Sequence, residues 1–186
     1  MRIGWACFIS VLLATSGSGQ SQRPDASQGN QPSYHITMVP RTITAINYET
    51  RKTTEIGFQG SPLLPLANGK AKVASDRGRI AINAEFKGLE PAQKFGAEYL
   101  TYVIWAVTPE GKSSNLGEVL LDGDKSKLSI TTALQTFGLI VTAEPYYAVS
   151  EPSDAVVLEN VVLPETRGTI QQMNASYQSL GRGQYS

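Results

Sequence analysis

Apolar and aromatic residues in this chain come in short runs of two kinds. In Tyr99-Leu-Thr-Tyr-Val-Ile-Trp-Ala-Val107 and in Phe137-Gly-Leu-Ile-Val-Thr-Ala143 nearly every position is apolar. In Arg79–Lys87 apolar and polar positions alternate: Ile80, Ile82, Ala84 and Phe86 face one way, and Arg79, Ala81, Asn83, Glu85 and Lys87 the other. Short unbroken runs rich in β-branched and aromatic residues read as strands covered on both faces, and strict alternation reads as a strand with one wet face. The first run halts at Thr108-Pro-Glu-Gly111, which argues for a strand over a buried helix. Its two faces are Tyr99, Val103, Trp105 and Val107 against Leu100, Tyr102, Ile104 and Ala106, and Trp105 reads as a core pin between two sheets.

The rest of the pattern fills in around these runs. Tyr34–Val39 and Thr42–Tyr48 flank Pro40-Arg41, which interrupts ladder bonding and suggests a bend or an edge position. Thr54–Gly60 carries Ile56 and Phe58 at period two, and Ser61–Gly69 is a loop. Ala71–Ser75 and Arg79–Lys87 form a hairpin around Asp76-Arg77-Gly78, and Gly88–Gly96 is a connection. Leu116–Leu121 and Lys127–Thr131 are expected to pair as a hairpin across Asp122-Gly-Asp124. Glu144–Pro152 is a Pro-bounded loop, and Ala155–Leu163 closes the domain. No amphipathic helix of three turns or more lies within residues 34–163. The pattern predicts an all-β fold, an antiparallel immunoglobulin-like β-sandwich over residues 34–163. A polar, irregular tail follows at 164–186, with weak helical periodicity over Glu165–Leu180.

Composition changes the picture at the amino end. Arg2, the apolar run Ile3–Ala14 and the small residues Thr15-Ser-Gly-Ser-Gly19 have the layout of a secretory signal peptide over residues 1–19. Residues 20–33 hold no aliphatic side chain larger than alanine and read as a disordered linker. Cleavage near Gly19 would remove Cys7, the single cysteine, and leave no transmembrane helix. Export without disulfides suits the periplasm or outer cell envelope of a bacterium. The chain of 186 residues carries 16 basic and 16 acidic side chains, interspersed, with no polybasic arm. Nucleic acid and anionic lipid are therefore not expected as partners.

Chemistry-bearing sets are sparse. His35 is the single histidine, stands at the first strand, and reads as an edge or surface residue without a nucleophile elbow to serve. One histidine and no mature cysteine remove zinc and copper sites of ordinary composition. Asp122 and Asp124 lack the spacing of a calcium loop and are explained by turn chemistry. No catalytic residues, metal ligands or cofactor are expected. The remaining candidate is Tyr146-Tyr147, between Pro145 and Pro152, as a partner contact on a loop. The competing and preferred expectation is packing, with one tyrosine plugging the end of the core.

The segments Tyr102-Val-Ile-Trp-Ala-Val-Thr-Pro-Glu-Gly111, Asn115-Leu-Gly-Glu-Val119 and Gly138-Leu-Ile-Val-Thr-Ala-Glu-Pro145 resemble the extracytoplasmic domain of K-type anti-sigma factors, over residues from about 98 to about 160. That resemblance implies an all-β, immunoglobulin-like envelope domain. Those proteins carry a sigma-binding segment and a membrane helix ahead of it, where this chain has a signal peptide and linker, so sigma-factor inhibition does not come with the likeness. Phe95–Gly111 and Phe137–Tyr146 are more closely similar to the amino-terminal β-domain of outer-membrane-protein-A-like envelope proteins. There a peptidoglycan-binding domain follows; this sequence reads Gly181-Arg-Gly-Gln-Tyr-Ser186 instead, and wall binding is not expected of it. The combined expectation is an exported, non-catalytic structural or interaction domain, with envelope proteins or peptidoglycan-associated components as partners. The alternatives are a carbohydrate-binding module or envelope enzyme using the tyrosine loop, and a sensor domain related to anti-sigma factors.

Overall fold

Ten strands make up most of the described part of the chain. The computed structural model describes residues 36–48 and 53–180, all within one compact unit, Tyr34–Ser186. The expected signal peptide, the linker and His35 lie outside the described residues.

The strands are β1 (Ile36–Asn47), β2 (Thr54–Gly60), β3 (Asn68–Asp76), β4 (Arg79–Lys87), β5 (Thr101–Val107), β6 (Ser113–Glu118), β7 (Lys125–Thr132), β8 (Thr136–Glu144), β9 (Val156–Val161) and β10 (Thr169–Leu180), with a short 3₁₀ turn at Ala92–Phe95. The fold is all-β and antiparallel throughout. The strand path β6-β5-β8-β9-β2-β3-β4-β7 curls until its ends, β6 and β7, stand side by side without a ladder between them, so the sheet is nearly closed into a barrel. β1 joins the path at the start of β8 and carries β10 on its outer side.

The double-faced run becomes the centre of this sheet. β5 pairs with β8 over its whole length, from Thr101 opposite Glu144 to Val107 opposite Gly138. Tyr102, Ile104 and Ala106 point into the interior with Phe137, Leu139, Val141, Ile56, Phe58, Ile80, Ile82 and Phe86. Val103, Trp105 and Val107 point outward into a second cluster, where Ile43 and Ala45 of β1, Ile140, Val149 and Val156 cover them. β4 shows the alternation its sequence carries, buried and less buried in turn, and the β3–β4 turn uses Arg77 and Gly78 at positive φ (49° and 82°), the two-residue hairpin suited to the twist of its strands.

β1 and β9 both reach the same side of β8, and a buried side chain fills the fork. Asn160 accepts the Leu139 N–H through Oδ1 (2.7 Å) and donates from Nδ2 to the Thr44 carbonyl (3.0 Å). Gly138 lies beneath; a Cβ there would collide with Ile43 Cγ2 and sit 2.9 Å from the Thr44 oxygen.

Two expectations are corrected and one is narrowed. Of the bend or edge position suggested at Pro40-Arg41, the edge is what forms: β1 runs unbroken through Pro40, opposite Ser176. There β1 is bonded only to β10, so its other side needs no donor from proline. The hairpin across Asp122-Gly-Asp124 does not form. Asp122 and Lys125 exchange backbone bonds of 2.7 and 3.1 Å, but the strands then part, β6 pairing with β5 and β7 with β4. The shared turn thus sits at the seam of the near-barrel.

The irregular tail, with its weak helical pattern, is instead strand β10, paired with β1 from Ile36–Leu180 to Asn47–Thr169. The chain is steered there by Thr166, whose hydroxyl donates to the Glu55 carbonyl (2.6 Å) and accepts the Leu163 N–H (2.8 Å), and by Thr54 Oγ1, which accepts the Arg167 N–H. Helix formation would leave the β1 edge unpaired; a polar strand of Thr, Gln, Asn, Ser and Tyr satisfies it. No helix among the described residues is long and apolar enough to cross a membrane.

Candidate functional site

The loop after β8 contains both tyrosines singled out from sequence, and its base is the most polar part of the buried structure. β8 ends in the sequence Thr142-Ala-Glu144, whose alternate positions continue the outward face of Ile140. Thr142 and Glu144 are both fully buried, beside Trp105. Trp105 Nε1–H donates to Thr142 Oγ1 (2.8 Å), and the Thr142 hydroxyl donates to Glu144 Oε1 (2.5 Å). The same carboxylate oxygen accepts the Ser153 N–H (2.8 Å), and the Ser153 hydroxyl donates to the Ala143 carbonyl (2.7 Å). The two ends of loop 145–152 are thereby fastened together by one carboxyl group and one hydroxyl.

Its middle is fastened too. Asn115 of β6 donates from Nδ2 to the carbonyls of Tyr147 (2.8 Å) and Val149 (2.9 Å). Val149 is buried in the outer cluster, where it occupies the place expected for a tyrosine. Tyr146 and Tyr147 project outward instead, 57 % and 62 % exposed. Packing, the preferred expectation for this pair, is therefore not what they do: the shorter aliphatic side chain two residues on fills the gap.

Within this loop electrostatics single out Glu144. Its Oε2 and the Oδ1 of Asp154 are buried without a hydrogen-bond partner. Burial pushes the Glu144 carboxyl up to about 7, against the lowering effect of the Ser153 and Thr142 hydrogen bonds, and Asp154 adds a smaller push upward. Glu151, on the same loop, is raised by partial burial. A carboxyl near neutrality is a frequent mark of acid–base chemistry. Here it is held by the Thr142 hydroxyl and the Ser153 N–H, with Asp154 near it and no exposed surface, and those bonds hold the loop.

Glu144, Thr142, Ser153 and Asn115 were not singled out from sequence as parts of this site. The legible signal was a pair of polar residues, Thr142 and Glu144, at period two within an otherwise apolar run; Asn115 gave none, because its role depends on β6 lying beside the loop. Asp122 and Asp124 occupy a backbone-bonded turn, and among the described residues no three His, Cys, Asp or Glu side chains group as metal ligands. Four surface grooves lie elsewhere, against β3, β4 and β7, beside the 3₁₀ turn, and along Leu120–Lys127; neither tyrosine lines any of the four.

Compared with protein-family models, with curated proteins and with solved structures, the chain matches none.

Proposed function

We propose that this protein is an exported, non-catalytic interaction domain of the bacterial cell envelope, and that it meets its partner through the Tyr146–Tyr147 loop. One observation carries the reading. Two adjacent tyrosines are held out in solvent on a loop whose ends and middle are fixed by buried hydrogen bonds. Exposed aromatics on a pre-ordered loop give large contact area with little ordering cost on binding. Placement in the envelope is supported by the leader-like residues 1–19, and kinship with envelope β-domains by the all-β, antiparallel fold together with the segments compared above.

A carbohydrate-binding role for the same tyrosines calls for a concave polar surface beside them. The test is capture from an envelope extract by the full chain and by its Tyr146→Ala/Tyr147→Ala form. A specific protein held by the first and lost by the second, with unchanged melting, supports the reading. Equal capture by both forms contradicts it.

A further inference from the structure

The outer face of β3, β4 and β7 gathers lysines that lie far apart in sequence. Register sets them in adjacent rows: Asn68, Lys87 and Lys125; then Lys70, Glu85 and Lys127; then Lys72, Asn83 and Ser129. Directly opposed residues share a face, with neighbouring strands about 5 Å apart and alternate residues along a strand about 7 Å apart. Five lysines thus stand on three neighbouring strands with one carboxylate, Glu85, among them, and Glu55 of β2 extends the last row opposite Lys72, in a chain whose basic and acidic residues balance. All five lysines are exposed. Lys127 pairs with Glu85 at 3.1 Å, and the cationic surroundings, that bond first, lower the Glu85 carboxyl. No other of the five makes an ion pair among the described residues.

The patch is concave. Lys70, Lys72, Asn83, Glu85, Lys127 and Ser129 line a groove of about 310 Å³, and a smaller one continues beside it along Lys70, Glu85 and Lys87. Protection of an open sheet edge would account for Lys125 and Lys127 on β7. It does not account for Lys70 and Lys72, which stand on β3, two strands in from that edge. Five cations against two carboxylates, Glu85 and Glu55, leave an excess of like charge, and an anionic ligand along the groove relieves its repulsion.

We propose that this face binds an acidic polysaccharide, a linear glycan bearing carboxylate or sulfate groups. Lysines act as point charges for its anionic groups. Asn68, Asn83 and Ser129, the last two joined by a 2.7 Å hydrogen bond, offer amide and hydroxyl groups for its hydroxyls. The three rows contain no aromatic residue on which nucleic-acid bases could stack. The envelope as the source of the glycan rests on the exported reading above; the groove and its charge do not.

The test uses the purified full chain and a fluorescent heparin-derived oligosaccharide at low ionic strength, with single-stranded DNA and polyglutamate as competing probes. Substituting Lys70→Gln, Lys72→Gln and Lys127→Gln together should weaken glycan binding by about tenfold or more. It should also reduce the slope of log affinity against log salt by roughly one per lysine. Lys94→Gln/Lys112→Gln should change neither, and Lys72→Gln alone should give a proportionate part of the effect if the triple variant melts early. Undiminished binding by the triple variant, no glycan binding by the wild type, or tighter binding of DNA or polyglutamate would each overturn the proposal. Because the assay involves neither export nor the tyrosine loop, its failure and that of the interaction reading are separable.

Discussion

Strands β5 and β8 are buried on both faces, yet the two faces are filled on different principles. The inward face is apolar: Tyr102, Ile104, Ala106, Phe137, Leu139 and Val141 meet their counterparts across the near-barrel. The outward face packs Val103, Trp105, Val107 and Ile140 under β1, and then runs into Thr142 and Glu144, which tie the following loop to Ser153. One face supplies burial. The other spends part of its area on polar groups that must find partners inside, and so fixes the position of a surface loop.

The largest expected difference between the faces comes from truncation. Trp105→Ala should cost about 3–5 kcal/mol in denaturant melts, and Ile104→Ala on the inner face about 2–5 kcal/mol. The sharper comparison is qualitative. Loss of Trp105 should also raise hydrogen exchange in residues 145–153, because Thr142 loses its donor, whereas loss of Ile104 should leave the loop protected until global unfolding. Equal loop protection in both variants would dissolve the distinction.

The next effect is pH dependence, and of the two faces of β5 and β8 only the outer one carries a carboxyl, Glu144. Glu144 sits at about 7 in the folded protein against an ordinary 4.5. Between those values the folded chain keeps a proton that the unfolded chain has released. Its contribution is therefore fully present below about pH 4.5 and is lost as pH rises through about 7, a fall of about 3 kcal/mol in all. Glu144→Gln, neutral at every pH, should remove this slope. Urea titrations of both forms across that range check it, and a slope kept in the variant would place the titrating group elsewhere.

Smaller effects follow at the loop. Asn115→Ala removes two bonds to loop carbonyls and should cost about 1 kcal/mol, with faster exchange confined to residues near Tyr147 and Val149. Tyr146→Ala/Tyr147→Ala should change stability by no more than about 0.5 kcal/mol, since both rings already stand in solvent.

Sequence periodicity revealed the inner face well. The period-two set of β4 and the double-faced runs of β5 and β8 marked the strands that line the interior, because burial on a sheet leaves a direct mark on every second position. Pairings that depend on more distant strands were not legible. The Asp122-Gly-Asp124 turn looks like a hairpin locally, but β6 and β7 find better partners in β5 and β4. Residues 169–180 look like a tail until the free edge of β1 is in view. At the loop, two tyrosines stood out by type, but which side chain fills the core was decided by geometry, and Val149 fills it. The lysine face was likewise hidden, since Lys70, Lys72, Lys87, Lys125 and Lys127 meet only through strand register.

In the proposed reading, the outer face of β5–β8 holds the tyrosine loop in place for a partner. Site-specific photo-crosslinking in a bacterial host that exports the chain tests it directly, with the reactive group at position 147 and, for comparison, at exposed Thr131 of β7. A discrete protein adduct from 147, weakened when Glu144 is replaced by alanine and absent from 131, is the predicted result. Adducts of equal yield from both positions, or none from 147, would contradict it.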